Sequence, residues 1–131
     1  ESWNLANSHG YSATILSYGA VLQSLIVPHP KGPRDVVLGF DSSEDYIRSM
    51  EHTYPPFYGA VVGRHSGRIA QAHLPIGGQV YHLEANDGPN HLHGAQASLS
   101  RKFWRLVDQS GGPEPYLTIE VTSPKGEGGY P

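Results

Sequence analysis

Apolar positions in this chain come in short bursts of period two rather than in helical stripes. Residues 11–17 carry Ala13, Thr14, Ile15 and Leu16, and after a break at Tyr18-Gly19-Ala20 residues 21–27 are again mostly apolar as far as Pro28, so both segments predict strands. Three prolines and a glycine within 28–33 make a connection, and the unbroken apolar run Val36-Val37-Leu38-Gly39-Phe40 predicts a buried strand. Ser42-Ser43-Glu44-Asp45 is a helix start whose pattern fades by Met50, which predicts one short surface helix. A further strand is expected over 57–62. The clearest local signal is a hairpin, with residues 68–76 and 79–83 flanking Gly77-Gly78, because paired glycines accept the positive φ of a two-residue turn. Residues 84–94 are polar and turn-rich, and alternation resumes over 102–107 and 116–122 on either side of a Gly-Gly-Pro break. About eight short strands with turn signals between them indicate an all-β fold, an antiparallel sandwich or barrel.

Composition sharpens this picture. At 131 residues there is room for one modest core, and 16 glycines with 11 prolines exceed the roughly 12% of an average chain, which favours turns over long helices. A net charge of −3 without a run of either sign leaves no basic stripe to track phosphates, so nucleic acid is not an expected partner. There is no cysteine, hence no disulfide framework, thiolate metal site or cysteine nucleophile, and a cytoplasmic location is expected. No apolar run is long enough to span a bilayer, Glu1-Ser2-Trp3-Asn4 does not read as a secretory leader, and no membrane partner is expected. The last residues, Gly128-Gly129-Tyr130-Pro131, read as a turn rather than a closing element, from which a fragment is expected.

Candidate chemistry is densest in Asn86-Asp87-Gly88-Pro89-Asn90-His91-Leu92-His93-Gly94. Two imidazoles two positions apart share a face if the segment is extended, but no third ligand follows in Ala95-Gln96-Ala97-Ser98, and no metal is assigned to them. One imidazole serves instead as a neutral hydrogen-bonding group toward a polar ligand, or is satisfied locally. Gly63-Arg64-His65-Ser66-Gly67-Arg68 offers two guanidinium forks, suited to vicinal hydroxyls, carboxylates or phosphates, but matches neither a phosphate-cradling loop nor a nucleophile elbow. Trp3, Trp104 and the tyrosines suit either a sugar-stacking platform or a core. Glu84 and Asp87 flank the histidine loop without a partner that spacing can name.

Six strings in order resemble the aldose 1-epimerase family, the galactose mutarotases. They are Tyr18-Gly19-Ala20 with Val27-Pro28, then Asp35 to Asp41 with Asp45-Tyr46, then Gly59-Ala60-Val61-Val62-Gly63-Arg64 with Arg68-Ile69-Ala70. Gly88 to Gly94, Trp104, and the Ser123-Pro124-Lys125-Gly126-Glu127-Gly128-Gly129-Tyr130-Pro131 turn complete the set. The resemblance implies a β-sandwich of the mutarotase type, of which residues 1–131 are the N-terminal part. It also implies cofactor-free interconversion of the α and β anomers of a free hexose, galactose or glucose, by acid/base ring opening. By motif position His93 corresponds to an active-site histidine that contacts the sugar, Arg68 to the arginine that grips its hydroxyls, and Asn90 to a further substrate-binding position. The family's general-acid histidine and general-base glutamate fall beyond the Glu-Gly-Tyr-Pro turn, so these 131 residues alone are expected to be inactive. Gly67 stands where many members carry a sugar-binding Asn, and Ala95 with Ser98-Leu99-Ser100 replaces the usual Gly and Gly-Phe-Asp. Two alternatives remain: a non-catalytic carbohydrate-binding or structural β-domain, and a hexose-6-phosphate epimerase relative with Arg64 or Arg68 facing the phosphate.

Overall fold

The computed structural model describes residues 1–131, with ten short strands and one α-helix. Strands β1 (Ser2–Ala6), β2 (Ser12–Leu16), β3 (Leu22–Val27) and β4 (Arg34–Asp35) form an antiparallel sheet in that order. Helix α1 (Ser43–Ser49) follows, opened by Ser42, whose Oγ accepts from the Asp45 amide at 3.2 Å and donates to its carboxylate at 2.7 Å. Strand β5 (Arg68–Ile69) pairs with β8 (His91–Leu92), β6 (His73–Ile76) with β7 (Gln79–His82), and β9 (Arg105–Ser110) with β10 (Tyr116–Glu120). The β6–β7 hairpin turns on Gly77 and Gly78, both at positive φ, as a type I′ turn requires.

The core lies in two clusters. Leu16, Tyr18, Val21, Tyr46 and Met50 bind α1 to the first sheet, and Ile69, Ala72, Leu83 and Tyr130 gather the β5–β8 region around the end of the chain. Only 20 residues are buried, so much of the geometry is held by backbone and polar contacts rather than by a thick apolar interior.

Three expected strands take other forms. Residues 36–40 are not a buried strand. The Asp35 carboxylate captures the amides of Leu25 and Val37, which ends the ladder, and Leu38 is left 73% exposed. The segment is then held by side chains: Gln23 Nε2 donates to the carbonyls of Phe40 and Asp41, and the Phe40 amide donates to the Tyr46 hydroxyl. Residues 57–62 are likewise not a strand, because Phe57 and Gly59 take positive φ and the segment docks on other backbone, Leu22 N donating to Gly59 O and Val61 N to Gly19 O. The strand expected over 68–76 breaks at Gln71 and Ala72, also at positive φ, giving β5 and β6 separately. Strand β1, not anticipated, pairs along its whole length with β2 and buries Trp3.

Candidate active site

Strand β8 ends in a sharp change of backbone direction that sorts the two histidines. His91 is in the ladder and fully buried; its Nδ1 lies 2.7 Å from the Glu84 carbonyl, which can only accept, so Nδ1 carries the proton. In the neutral ring Nε2 then accepts from the Tyr130 hydroxyl at 2.6 Å. Both nitrogens are consumed, and burial raises the Tyr130 hydroxyl above the ordinary tyrosine range. His93, by contrast, has φ +56°, so the chain has left the extended form and the two rings do not share a face.

Backbone holds His93 in place. Its amide donates to the Gly67 carbonyl at 3.1 Å, and Gly94 passes so close to Gly63 that a Cβ there would lie 2.1 Å from the Gly63 oxygen. The same oxygen accepts from the Leu99 amide. The His93 ring packs edge-on against Phe57, with centroids 5.1 Å apart. Its Nδ1 is buried without a hydrogen-bond partner, which leaves Nε2 as the open nitrogen. Burial, reinforced by the positive charges of Arg68 and His65, holds the imidazole below the ordinary histidine range, so it is neutral at pH 7.

His93 lines a cleft of about 640 Å³ together with Glu51, Tyr54, Phe57, Gln96 and Arg101. Residues 50–57, which also line it, carry no motif; the sequence signal there is Tyr54 followed by Pro55-Pro56, an aromatic beside a stiff extended stretch. Asn86 supports the site by clamping Leu92, its side-chain oxygen accepting from the Leu92 amide and its nitrogen donating to the Leu92 carbonyl.

The other candidates lie outside this lining. Arg68, on β5, donates from Nε to the Asp87 carboxylate at 2.6 Å and is largely exposed beside the cleft. The Asn90 side-chain oxygen accepts from the Gln71 amide, so it braces the kink between β5 and β6. The Glu84 carboxylate accepts from the Gln96 amide, and Trp104 Nε1 donates to the Leu99 carbonyl; both act in the frame. Arg64 is fully occupied by the closing turn, donating to the Ser123 hydroxyl and to the carbonyls of Ser123, Pro124 and Pro131 at 2.6–2.8 Å, with its guanidinium over the Tyr130 ring.

A family model described as aldose 1-epimerase matches residues 1–131. The chain belongs to the aldose 1-epimerase family. Galactose mutarotase of Bos taurus is 39% identical over 118 residues, covering 89% of this chain and 32% of that protein. Aldose 1-epimerase of Escherichia coli is 30% identical over 128 residues, covering 97% and 35%. The chain thus spans about a third of the length of the curated relatives it matches. Among solved structures, a GalM/aldose epimerase homologue from C. elegans superposes with a TM-score of 0.85 at 31% identity over 98% of this chain and 38% of the other. Galactose 1-epimerase from Lactobacillus acidophilus gives 0.81 at 28% identity, over 99% and 36%. The all-β fold is therefore the aldose epimerase β-sandwich, here represented in part. No helix of this aldose 1-epimerase family chain is long and apolar enough to cross a membrane.

Proposed function

We propose that residues 1–131 form the N-terminal part of one aldose 1-epimerase sandwich domain, and that the cleft beside His93 is one wall of a site for a free hexose such as galactose or glucose. The observation that carries this reading is His93 itself: a neutral imidazole on a cleft wall, fixed by its backbone, with neither ring nitrogen spent on the protein. Anomer exchange breaks the bond between C1 and the ring oxygen. A base takes the C1 hydroxyl proton, an acid protonates the ring oxygen, and the aldehyde recloses from its other face with the two roles exchanged. His93 suits this chemistry as a hydrogen-bonding contact to a sugar oxygen, with burial and then the neighbouring positive charge of Arg68 keeping it neutral. No cofactor is required, and a cytosolic location fits a chain without cysteine.

A second reading, a carbohydrate-binding domain without catalysis, is favoured by the rings of Tyr54 and Phe57 on the same cleft. A phosphorylated hexose is less well served, because Arg64 is used up by the closing turn and Arg68 is already paired. The test is NMR of the 131-residue chain with galactose. Saturable shifts of the His93 ring signals without accelerated anomer exchange fit the proposal. Acceleration abolished by His93→Ala would place a working acid and base inside these residues, while shifts absent at tens of millimolar sugar would overturn the site.

A further inference from the structure

On the outer face of the β6–β7 hairpin, His73 and His82 stand directly opposite each other. The type I′ turn closes on Ile76 and Gln79, and from there hydrogen-bonded and non-hydrogen-bonded pairs alternate. Pro75 opposite Val80 takes a non-hydrogen-bonded site, where a missing N–H costs nothing, and His73 opposite His82 takes the next one. The phase is confirmed one pair further on, where Leu83 N donates to Ala72 O at 2.9 Å. Non-hydrogen-bonded sites bring cross-strand side chains closest, and here the ring centroids are 4.6 Å apart with perpendicular planes. Neither ring has a hydrogen-bond partner in the protein, and both residues are exposed.

The pair is also well anchored. Ala72 and Leu83, adjoining the two histidines, are buried in the second core cluster, and Leu74 packs against it from the opposite face of the hairpin. The strands beneath the imidazoles are thus fixed at the end where the imidazoles sit.

We propose that His73 and His82 form a two-imidazole chelate for a borderline divalent transition-metal ion of the zinc, nickel or copper class, with water completing the coordination. An imidazole nitrogen binds such an ion at about 2.0–2.1 Å, which puts the ring centre about 3.2 Å from the metal and two ligand rings about 4.5 Å apart at a right angle, or about 5.2 Å at the tetrahedral angle. The observed 4.6 Å spacing lies near the right-angle value, so the hairpin already holds the two rings close enough to share one ion once each turns a nitrogen toward it. The site is separate from the sugar cleft, whose lining includes neither residue, and from His91, whose nitrogens are taken.

The test is a zinc chloride titration of the full chain, followed by the imidazole C–H signals of all eight histidines in 1H–13C spectra and by calorimetry. One saturable site is expected, with the His73 and His82 signals moving together, and His73→Gln or His82→Gln each weakening it at least tenfold. Because both side chains are exposed, the variants keep the fold, which unchanged backbone spectra verify. No saturable binding, saturation at other histidines, or undiminished affinity in either variant would overturn the proposal.

Discussion

The Tyr130 hydroxyl reaches across 39 positions of sequence to donate to His91 Nε2 at 2.6 Å in the buried centre of the second core cluster. The same tyrosine lies under the Arg64 guanidinium, so the end of the chain is tied to both strings that frame the cleft. Tyr130→Phe keeps the ring and removes the donor, leaving a fully buried acceptor unsatisfied. A loss of about 1–3 kcal/mol in urea unfolding is expected, and an unchanged midpoint would show that the bond contributes nothing net.

Arg64 holds the closing turn with four hydrogen bonds that need a planar fork. Arg64→Lys retains the charge but meets these acceptors at one point only. It is expected to cost about 1.5–3 kcal/mol and to speed tryptic cleavage after the exposed Lys125. Equal cleavage rates in the two proteins would mean that the turn is held by something else, the Lys102–Glu127 ion pair being the nearest candidate.

Gly94 occupies φ +87° against the Gly63 carbonyl. Gly94→Ala adds both a strained conformation and an overlap with backbone, so a loss above about 2 kcal/mol is expected, accompanied by displaced His93 ring signals. Thermal melts and NMR spectra of the variant check both parts.

His93 makes folding sensitive to mild acid. Burial, then Arg68 and His65, lower its folded value below the ordinary histidine value of about 6.5. Above that value the ring is neutral in both states. As pH falls through the window between the ordinary and the lowered value, the unfolded chain binds more protons than the folded one, and stability drops before levelling off below the folded value. His93→Gln should flatten this part of the stability profile measured from pH 7 to 5; an identical slope in the variant would assign it to another group.

What could be read ahead of the structure divides by how local its cause is. Gly77-Gly78 determines its turn within four residues, and the hairpin around it was legible. The run 36–40 has a strand's composition, but Asp35 diverts its amides and Tyr46, from the following helix, receives the Phe40 amide; neither is visible in hydropathy. Strand β1 is not legible because its alternation is short, Trp3 and Leu5 alone, and the burial of Trp3 depends on β2 beside it. The histidine pair shows the same limit at the site. Spacing alone put His91 and His93 on one face, whereas the positive φ at His93, set by the contact with Gly67 and the glycine that follows, turns one into a core residue and the other toward the cleft.

Because the Gly63 carbonyl is the point from which both the His93 loop and the Leu99 turn are measured, the loop that carries the imidazole is placed by main chain, and Phe57 is the cleft side chain packed against its ring. On the cleft wall residues 51–54 are exposed and outside that frame, so substitutions there are expected to leave the ring in register, whereas Met50, in the first core cluster, and Phe57, against the ring, are part of what holds it.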